Sequence, residues 1–312
     1  MTAQSEDDAK PGNSIGAATP LAGVGLIVLA CLCFSILDAT AKYLGAYLPT
    51  LQIVWIRFVT HVLLALVLFQ IWKTPKALWT KRPVLQGIRA LSLLSTTMFN
   101  FLAVQHLQLA ETMSIMFAVP FVVTALAGPI LGEWAGMRRW IAIIVGFLGV
   151  LIVTQPGMGG MHWAALYSVA AMLTYAVYAL LTRKLADTES AASLLVLSGL
   201  VAALAMTPVG VSVWVHPPDG FIWFLLLSTG FWGVIGHWLF TLAHRLAPAP
   251  LLAPFIYVQI VWMVTLGYAV FDDVPTATTI VGASVVVASG LFMLYRERVK
   301  VADSTTKARA ES

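Results

Sequence analysis

The sequence has 312 residues, of which 60% are hydrophobic and only 10% carry a charge. Soluble globular domains carry roughly 25% charged residues, so the composition excludes an ordinary soluble protein. The net charge of +4 is small, and the basic residues lie in short polar connections. This arrangement is typical of loops beside anionic lipid head groups and does not indicate binding to nucleic acid.

Long apolar segments separated by polar turns follow one another from residue 20 onward. About 20 apolar residues suffice to span a bilayer. The predicted spans are residues 20–43, 51–72, 84–105, 110–131, 138–154, 162–183, 191–212, 220–243, 248–271 and 276–295. The sequence therefore predicts an all-α integral membrane protein with ten transmembrane helices.

The basic residues of the connections predict the orientation of these helices. Lys or Arg occurs in the second, fourth, sixth and eighth connections and in the C-terminal tail, whereas the odd-numbered connections nearly lack them. Because basic loops stay in the cytoplasm, both termini are predicted to be cytoplasmic. We expect a multi-pass protein of the bacterial inner membrane, with disordered cytoplasmic tails at residues 1–19 and 297–312.

An internal repeat divides the ten spans into two units. The segments at residues 110–133 and 249–272 share their length, an internal proline, a late glycine and a terminal carboxylate. We expect one five-helix repeat at residues 20–155 and a second at residues 160–296. Since five is odd, the second unit must be inverted in the membrane. Inverted repeats are typical of secondary transporters, whose substrate site lies near the midplane between the halves.

Three stretches carry a family resemblance: FSILDATAKYL in the first span, LAETMSIMFAVPFVVTALAGPILGE in the fourth and LAPAPLLAPFIYVQIVWMVTLGYAVF in the ninth. With the five-plus-five repeat, they resemble the EamA-type branch of the drug/metabolite transporter superfamily. The resemblance implies a basket of helices around a central cavity lined by the first four helices of each repeat. The fifth and tenth helices would be peripheral and could support a homodimer. It also implies a small-molecule solute as partner.

Charged residues inside spans need an explanation, because each costs about 2.5–3.5 kcal/mol at the centre of a helix. Asp38 and Lys42 lie one turn apart in the outer half of the first span, and Arg57 lies near the outer end of the second. One interpretation is a structural ion pair of Asp38 with Lys42 or Arg57. The other is a charged vestibule that binds a carboxylate or couples a proton. Arg89, near the cytoplasmic end of the third span, is expected to extend toward the head groups.

Two mid-span polar residues are candidates for solute binding. Asn100 carries a lone amide in the third span, and an amide in lipid needs a partner. His237 lies well inside the eighth span beside Trp238, where it could hold a proton or form a hydrogen bond to a neighbouring carbonyl.

Aromatic residues and helix breaks complete the candidate site. Tyr175 and Tyr178 are three residues apart, and residues three apart are neighbours on a helix surface. Tyr257 and Gln259 follow Pro254, while Pro120 is expected at the matching place in the first repeat. Proline removes a helical hydrogen bond, and the broken helix then exposes polar backbone to a cavity.

These observations favour a secondary transporter that works by alternating access. A membrane enzyme would need converging acids, bases or metal ligands, and no such motif occurs, so neither an enzymatic reaction nor a cofactor or metal is predicted. The alternatives are a non-transporting scaffold or receptor, or an exporter of drugs or toxic metabolites. An aromatic lining with few charges favours an amino acid-like solute or a flat aromatic vitamin such as riboflavin.

Overall fold

A computed structural model describes residues 20–73, 75–132, 136–155, 162–186, 188–247, 252 and 255–310. Throughout these ranges the secondary structure is helical, with one short 3-10 helix at Pro75–Leu78 and no strand. The α-helices are α1 (Pro20–Leu44), α2 (Thr50–Leu68), α3 (Pro83–Val104), α4 (Leu109–Met116), α5 (Val119–Leu131), α6 (Met137–Thr154), α7 (Ala165–Ala186), α8 (Ala191–Ser212), α9 (Gly220–Leu246), α10 (Gln259–Phe271) and α11 (Ala277–Ala310).

The helices account for ten membrane spans. Across the described residues, seven segments are long and apolar enough to cross a bilayer, one of them being α4 and α5 together, and α6, α10 and the first part of α11 are shorter apolar helices. The predicted fold class, an all-α membrane protein built from two five-helix repeats, is confirmed.

Helix contacts reveal the two-fold relation between the repeats. Helix α1 packs on α9, and its counterpart α7 packs on α3 in the same way. Helix α2 packs on both α8 and α9, while α8 packs on α2 and α3. The fifth helices of the two repeats, α6 and α11, pack on each other. Each repeat therefore fills its core with helices of the other, and the interface between repeats is the core of the protein.

Two helices are interrupted at corresponding places. The fourth span, predicted as one helix, breaks at Phe117–Ala118 between α4 and α5, and the second repeat has a turn at Tyr257–Val258 before α10. The helices that follow have 13 residues each and end in left-handed residues, Gly132 with φ 77° and Asp272 with φ 55°. This correspondence indicates that the break belongs to the repeat unit.

The prolines predicted to cause these breaks do not occupy matching positions. Pro120 lies in the first turn of α5, directly after the break, where its missing N–H leaves no helical hydrogen bond unmade. Pro254 lies outside the described residues and precedes its break in the sequence. The described break of the second repeat, at Tyr257–Val258, begins three residues after Pro254 in the sequence.

Glycines allow the fifth helices to approach closely. A Cβ atom added to Gly149 of α6 would lie 2.9 Å from the carbonyl oxygen of Gly282 in α11, and the reciprocal distance would be 2.7 Å. Any larger residue would force the two backbones apart. These glycines therefore serve a contact inside the chain.

The C-terminal segment differs from its prediction. A disordered tail was expected from residue 297, but α11 continues as a helix to Ala310. The segment contains Ala, Arg, Lys and Glu, which have high helix propensity, so the helix extends beyond its apolar part.

The inversion of the repeats predicts opposite labelling at two matched turns. In a background with Cys31→Ala and Cys33→Ala, we expect Val274→Cys, after α10, to react with a membrane-impermeant maleimide in intact cells. Met137→Cys, after α5, should react only after permeabilisation, because the two turns lie on opposite faces. Both native side chains are well exposed, at 65% and 76%. Labelling of both positions from one face would contradict the inversion.

Candidate functional site

A central cavity of about 430 Å³ lies between the repeats. This volume falls within the roughly 300–1,000 Å³ of typical small-molecule sites. The first repeat lines it from α1 to α5, and the second repeat lines it from α7, α9 and the region of α10, with Gly290 of α11. Most of the wall is apolar. The few polar groups that reach it come from Asp38, Arg57, Thr96, Asn100, Tyr175, His237 and Gln259, among others.

Asp38 and Asn100 form one polar point of the wall. Asn100 Nδ2 donates a hydrogen bond of 2.9 Å to Asp38 Oδ1, which joins α3 to α1. The partner that the lone amide requires is therefore this carboxylate. Among the described residues, the second oxygen of Asp38 has no hydrogen-bond partner, so it is available on the cavity side.

Arg57 forms a second polar point and carries an unsatisfied guanidinium. It is 3% exposed, yet its Nε and Nη1 have no hydrogen-bond partner among the described residues. Its Cζ lies 4.4 Å from the ring centroid of Phe58, and Gly233 of α9 leaves room beside it. In the described part of the chain, Arg57 makes no ion pair with Asp38.

Lys42 does not join this group, which corrects the predicted pairing with Asp38. Its Nζ lies 2.7 Å from Asp273 Oδ2 and donates a 3.0 Å hydrogen bond to the carbonyl of Leu107. The same ammonium lies 4.9 Å from the ring centroid of Phe271. Lys42 pairs with Asp273, 231 residues away, and not with Asp38, one turn away. The reason is that the inverted repeats bring the end of α10 beside the end of α1.

The second repeat supplies aromatic and neutral polar groups. The His237 ring packs edge-on against Phe34 with centroids 5.0 Å apart, and it lies 6.3 Å from the ring of His61. Among the described residues, the ring nitrogens of His237 have no hydrogen-bond partner. Tyr257 packs edge-on against Phe117 at 4.9 Å, directly at the two helix breaks. Gln259, 8% exposed, begins α10 at the same wall.

Two predicted site residues do not line the cavity. Trp238 follows His237 but faces outward and is 38% exposed, since successive helical residues point about 100° apart. Tyr178 faces α3 and α8, while Tyr175, one turn before it, reaches the cavity. Residues three apart do not point in the same direction from the helix axis. This difference in direction is enough to place Tyr175 at the cavity and Tyr178 against α3 and α8.

Tyr178 belongs instead to a buried network around Arg89. Arg89 Nη2 donates to the hydroxyl of Tyr178 at 3.1 Å, and Nε donates to Thr182 Oγ1 at 2.7 Å. Its Nη1 donates to the carbonyl of Leu194 at 2.9 Å and to Ser198 Oγ at 2.5 Å. Arg89 is therefore fixed inside the protein across α3, α7 and α8, and the prediction that it extends to the head groups is wrong.

Several lining residues escaped the sequence interpretation. Thr96 and Thr97 of α3 and Thr112 of α4 face the cavity, although they are not among the predicted site residues. Met113 and Met116 line it beside the first break. Met side chains are flexible and fit irregular shapes, so they suit a site that accepts a solute. Their positions, one turn (Met116) and two turns (Met113) before Pro120, were the available signal.

Among the described residues, no group of three or more His, Cys, Asp or Glu side chains could hold a metal ion. The chemistry that the cavity offers is recognition by hydrogen bonds, charge and aromatic contact.

The chain is similar in sequence to known membrane transporters. The model of the EamA-like transporter family matches twice, at residues 21–155 and 162–295. The chain is 28% identical to the S-adenosylmethionine uptake transporter of Rickettsia prowazekii (strain Madrid E), over 90% of this chain and 95% of that protein. It is 24% identical to the riboflavin transporter of Vibrio cholerae, over 90% of this chain and 95% of that protein. It is 27% identical to a pseudopaline exporter of Pseudomonas aeruginosa, over 86% of this chain and 94% of that protein.

A solved crystal structure shares the fold. It superposes with a TM-score of 0.59 at 16% sequence identity and covers 90% of this chain and 98% of that chain. At this identity the likeness concerns the fold alone.

The Arg89 network predicts different effects of two matched substitutions in α7. We expect Tyr178→Phe to reduce stability by about 1.5–3 kcal/mol, because a hydrogen bond to a buried charge is lost. Tyr175→Phe, at the cavity wall, should change stability little. The thermal unfolding midpoint of the detergent-solubilised protein measures both. Equal destabilisation by the two substitutions would contradict the assignment of Tyr178 to the network.

Proposed function

The chain belongs to the EamA-like transporter family, and we propose that it moves a small organic metabolite across the bacterial inner membrane by alternating access. The observation that carries the proposal is the cavity of about 430 Å³ that lies between two inverted repeats, with polar groups at only a few points of an apolar wall. Such a site at the repeat interface is where secondary transporters bind their solutes. The family and the named relatives are transporters, which favours transport over an enzymatic reaction.

The lining supports an amino acid-like or flat aromatic substrate. Tyr257 and Phe117 present ring faces and edges to a flat body, while Asp38, Asn100 and Arg57 supply groups for a charged or polar end. S-adenosylmethionine and riboflavin, named for two relatives, are the first candidates to test. The pseudopaline exporter among the relatives supports export as a second possible direction.

The orientation we propose follows from the loop charges. The turns at residues 45–49 and 272–276 would face the periplasm, and the basic turns with both tails would face the cytoplasm. The repeats would comprise residues 20–155 and 160–296. We also propose a homodimer through α6 and α11, whose outward residues Ile144, Phe147 and Ile280 are apolar and 55–58% exposed.

Alternating access requires contacts that open and close at the two ends. At the proposed periplasmic end, Lys42 and Asp273 tie α1 of the first repeat to the end of α10 in the second. Gln108 Nε2 adds a hydrogen bond of 3.1 Å to the carbonyl of Val274. The helix breaks at Phe117–Ala118 and Tyr257–Val258 supply places where α5 and α10 can bend. We propose that the ion pair closes the periplasmic end and that these breaks are the hinges.

Transport assays with neighbouring substitutions test the cavity. We expect His237→Ala to reduce uptake or efflux about tenfold or more, which corresponds to about 1.4 kcal/mol of lost binding. Trp238→Ala is the matched control and should retain transport, because this side chain faces outward. Cells with and without the protein, supplied with labelled S-adenosylmethionine, riboflavin and tryptophan, provide the measurement. Normal transport by His237→Ala, at normal expression, would contradict the proposal that His237 at the cavity wall binds the solute.

Substitutions of the adjacent residues Asp273 and Asp272 test how the periplasmic end opens. In the cysteine-free background, Met113→Cys places a thiol on the cavity wall. We expect Asp273→Asn to raise its labelling rate from outside by up to about fivefold, because a partly exposed ion pair contributes up to about 1 kcal/mol. Asp272→Asn is the control, since Asp272 makes no ion pair among the described residues. An equal rate in both variants would contradict a closing role for the pair.

A further inference from the structure

Two buried arginines, Arg57 and Arg89, differ in how many of their guanidinium nitrogens form hydrogen bonds. Arg89 is 2% exposed, and each of its guanidinium nitrogens donates a hydrogen bond within the protein. Arg57 is 3% exposed, and its Nε and Nη1 have no acceptor in the part of the chain that the structure describes. A buried charge without a partner is strongly unfavourable. The contrast shows that burial alone does not explain Arg57.

Arg57 lies where a solute can supply the missing acceptor. The side chain lines the central cavity, and among the described residues no carboxylate pairs with it. The planar guanidinium fork matches a carboxylate, with which it forms two parallel hydrogen bonds. The group that completes Arg57 is therefore a carboxylate or similar anion of the bound solute.

Asp38 gives the same cavity a pole of opposite sign. Asn100 fixes one of its oxygens at 2.9 Å, and the other has no partner among the described residues. Asp38 and Arg57 line one cavity without forming an ion pair. A simple anion would be attracted by Arg57 but repelled by Asp38, and a simple cation would meet the reverse. A solute with both charges satisfies both residues, because like-charge contacts in a low dielectric are costly.

We propose that Arg57 and Asp38 form a zwitterion site, in which Arg57 binds the carboxylate and Asp38, held by Asn100, binds the amino group of an α-amino acid. This inference rests on the proposed transport function and names its substrate class. The apolar or aromatic body of the solute packs on Phe34, Phe117 and Tyr257. S-adenosylmethionine carries an α-amino acid group on a body with a flat base, whereas riboflavin carries neither charge.

Removal of the carboxylate from the ligand tests the role of Arg57. The purified protein is titrated with S-adenosylmethionine and with its decarboxylated form, which keeps the amino group and the base. We expect the wild type to bind the complete molecule about 10- to 100-fold more tightly, the range for one charge-assisted contact. In Arg57→Gln the ratio of the two affinities should fall to about 1. In Asp38→Asn both ligands should weaken and the ratio should persist.

Stability measurements separate binding from folding. Arg57→Gln removes a buried charge whose Nε and Nη1 have no acceptor among the described residues, so its thermal unfolding midpoint should match or exceed that of the wild type. Arg89→Gln is the control of the same residue type and burial, and its midpoint should fall. Arg57→Lys keeps the charge without the fork and should give an intermediate affinity ratio. A drop in midpoint for Arg57→Gln as large as that for Arg89→Gln would overturn the proposal.

Two further outcomes separate this inference from transport itself. Equal affinity of the wild type for S-adenosylmethionine and its decarboxylated form overturns the zwitterion site. Transport of riboflavin alone, unchanged in Arg57→Gln, also overturns it while the transport function stands.

Discussion

The structure depends on one constraint, which is that a charge inside the membrane must find an opposite charge or hydrogen-bond acceptor. Arg89 meets it with four hydrogen bonds to α7 and α8. Lys42 meets it with Asp273 and the carbonyl of Leu107. Both solutions join the first repeat to the second. Charges that would be costly in lipid are thus used to hold two inverted halves together.

The same constraint distinguishes structural charges from those that face the solute. A satisfied group such as Arg89 gains nothing from a ligand, since its donors are already occupied. Among the described residues, Arg57 Nε and Nη1 have no acceptor and one oxygen of Asp38 has no donor, although both side chains lie in the same low-dielectric interior. The hydrogen bonds that Arg57 and Asp38 do not make on folding can be made to a bound solute, and their free energy then contributes to binding. A count of hydrogen bonds at buried charges is therefore informative about function in a way that burial is not.

The sequence predicted the features that depend on local composition. Ten apolar runs, alternating loop charge and the matched segments at residues 110–133 and 249–272 were sufficient for the span number and the repeat. Mid-span polar and aromatic residues singled out in the sequence, such as Asn100, His237 and Tyr257, lie on the cavity wall. These are predictable because a polar group in an apolar run has few other places to go.

What the sequence could not provide was angular position and distant partners. The partner of Lys42 is 231 residues away and becomes adjacent only when the repeats interlock. Tyr175 and Tyr178 are neighbours on one helix, yet α7 has a face toward the cavity and another toward α3 and α8, and the boundary falls between them. Trp238 misses the cavity for the same reason. The rotation of each helix is set by packing across the repeats, which one sequence does not display.

The two repeats share a fold but contribute different groups to the proposed solute site. Among the described residues, the charged groups at the cavity, Asp38 and Arg57, belong to the first repeat, and the second repeat contributes neutral groups such as His237, Tyr257 and Gln259. A solute with a charged end and an aromatic body therefore contacts both halves at once. Since a ligand shifts a conformational equilibrium only through contacts that differ between states, a solute that bridges the moving halves can drive their rocking. A solute bound by one repeat alone would move with it and shift nothing.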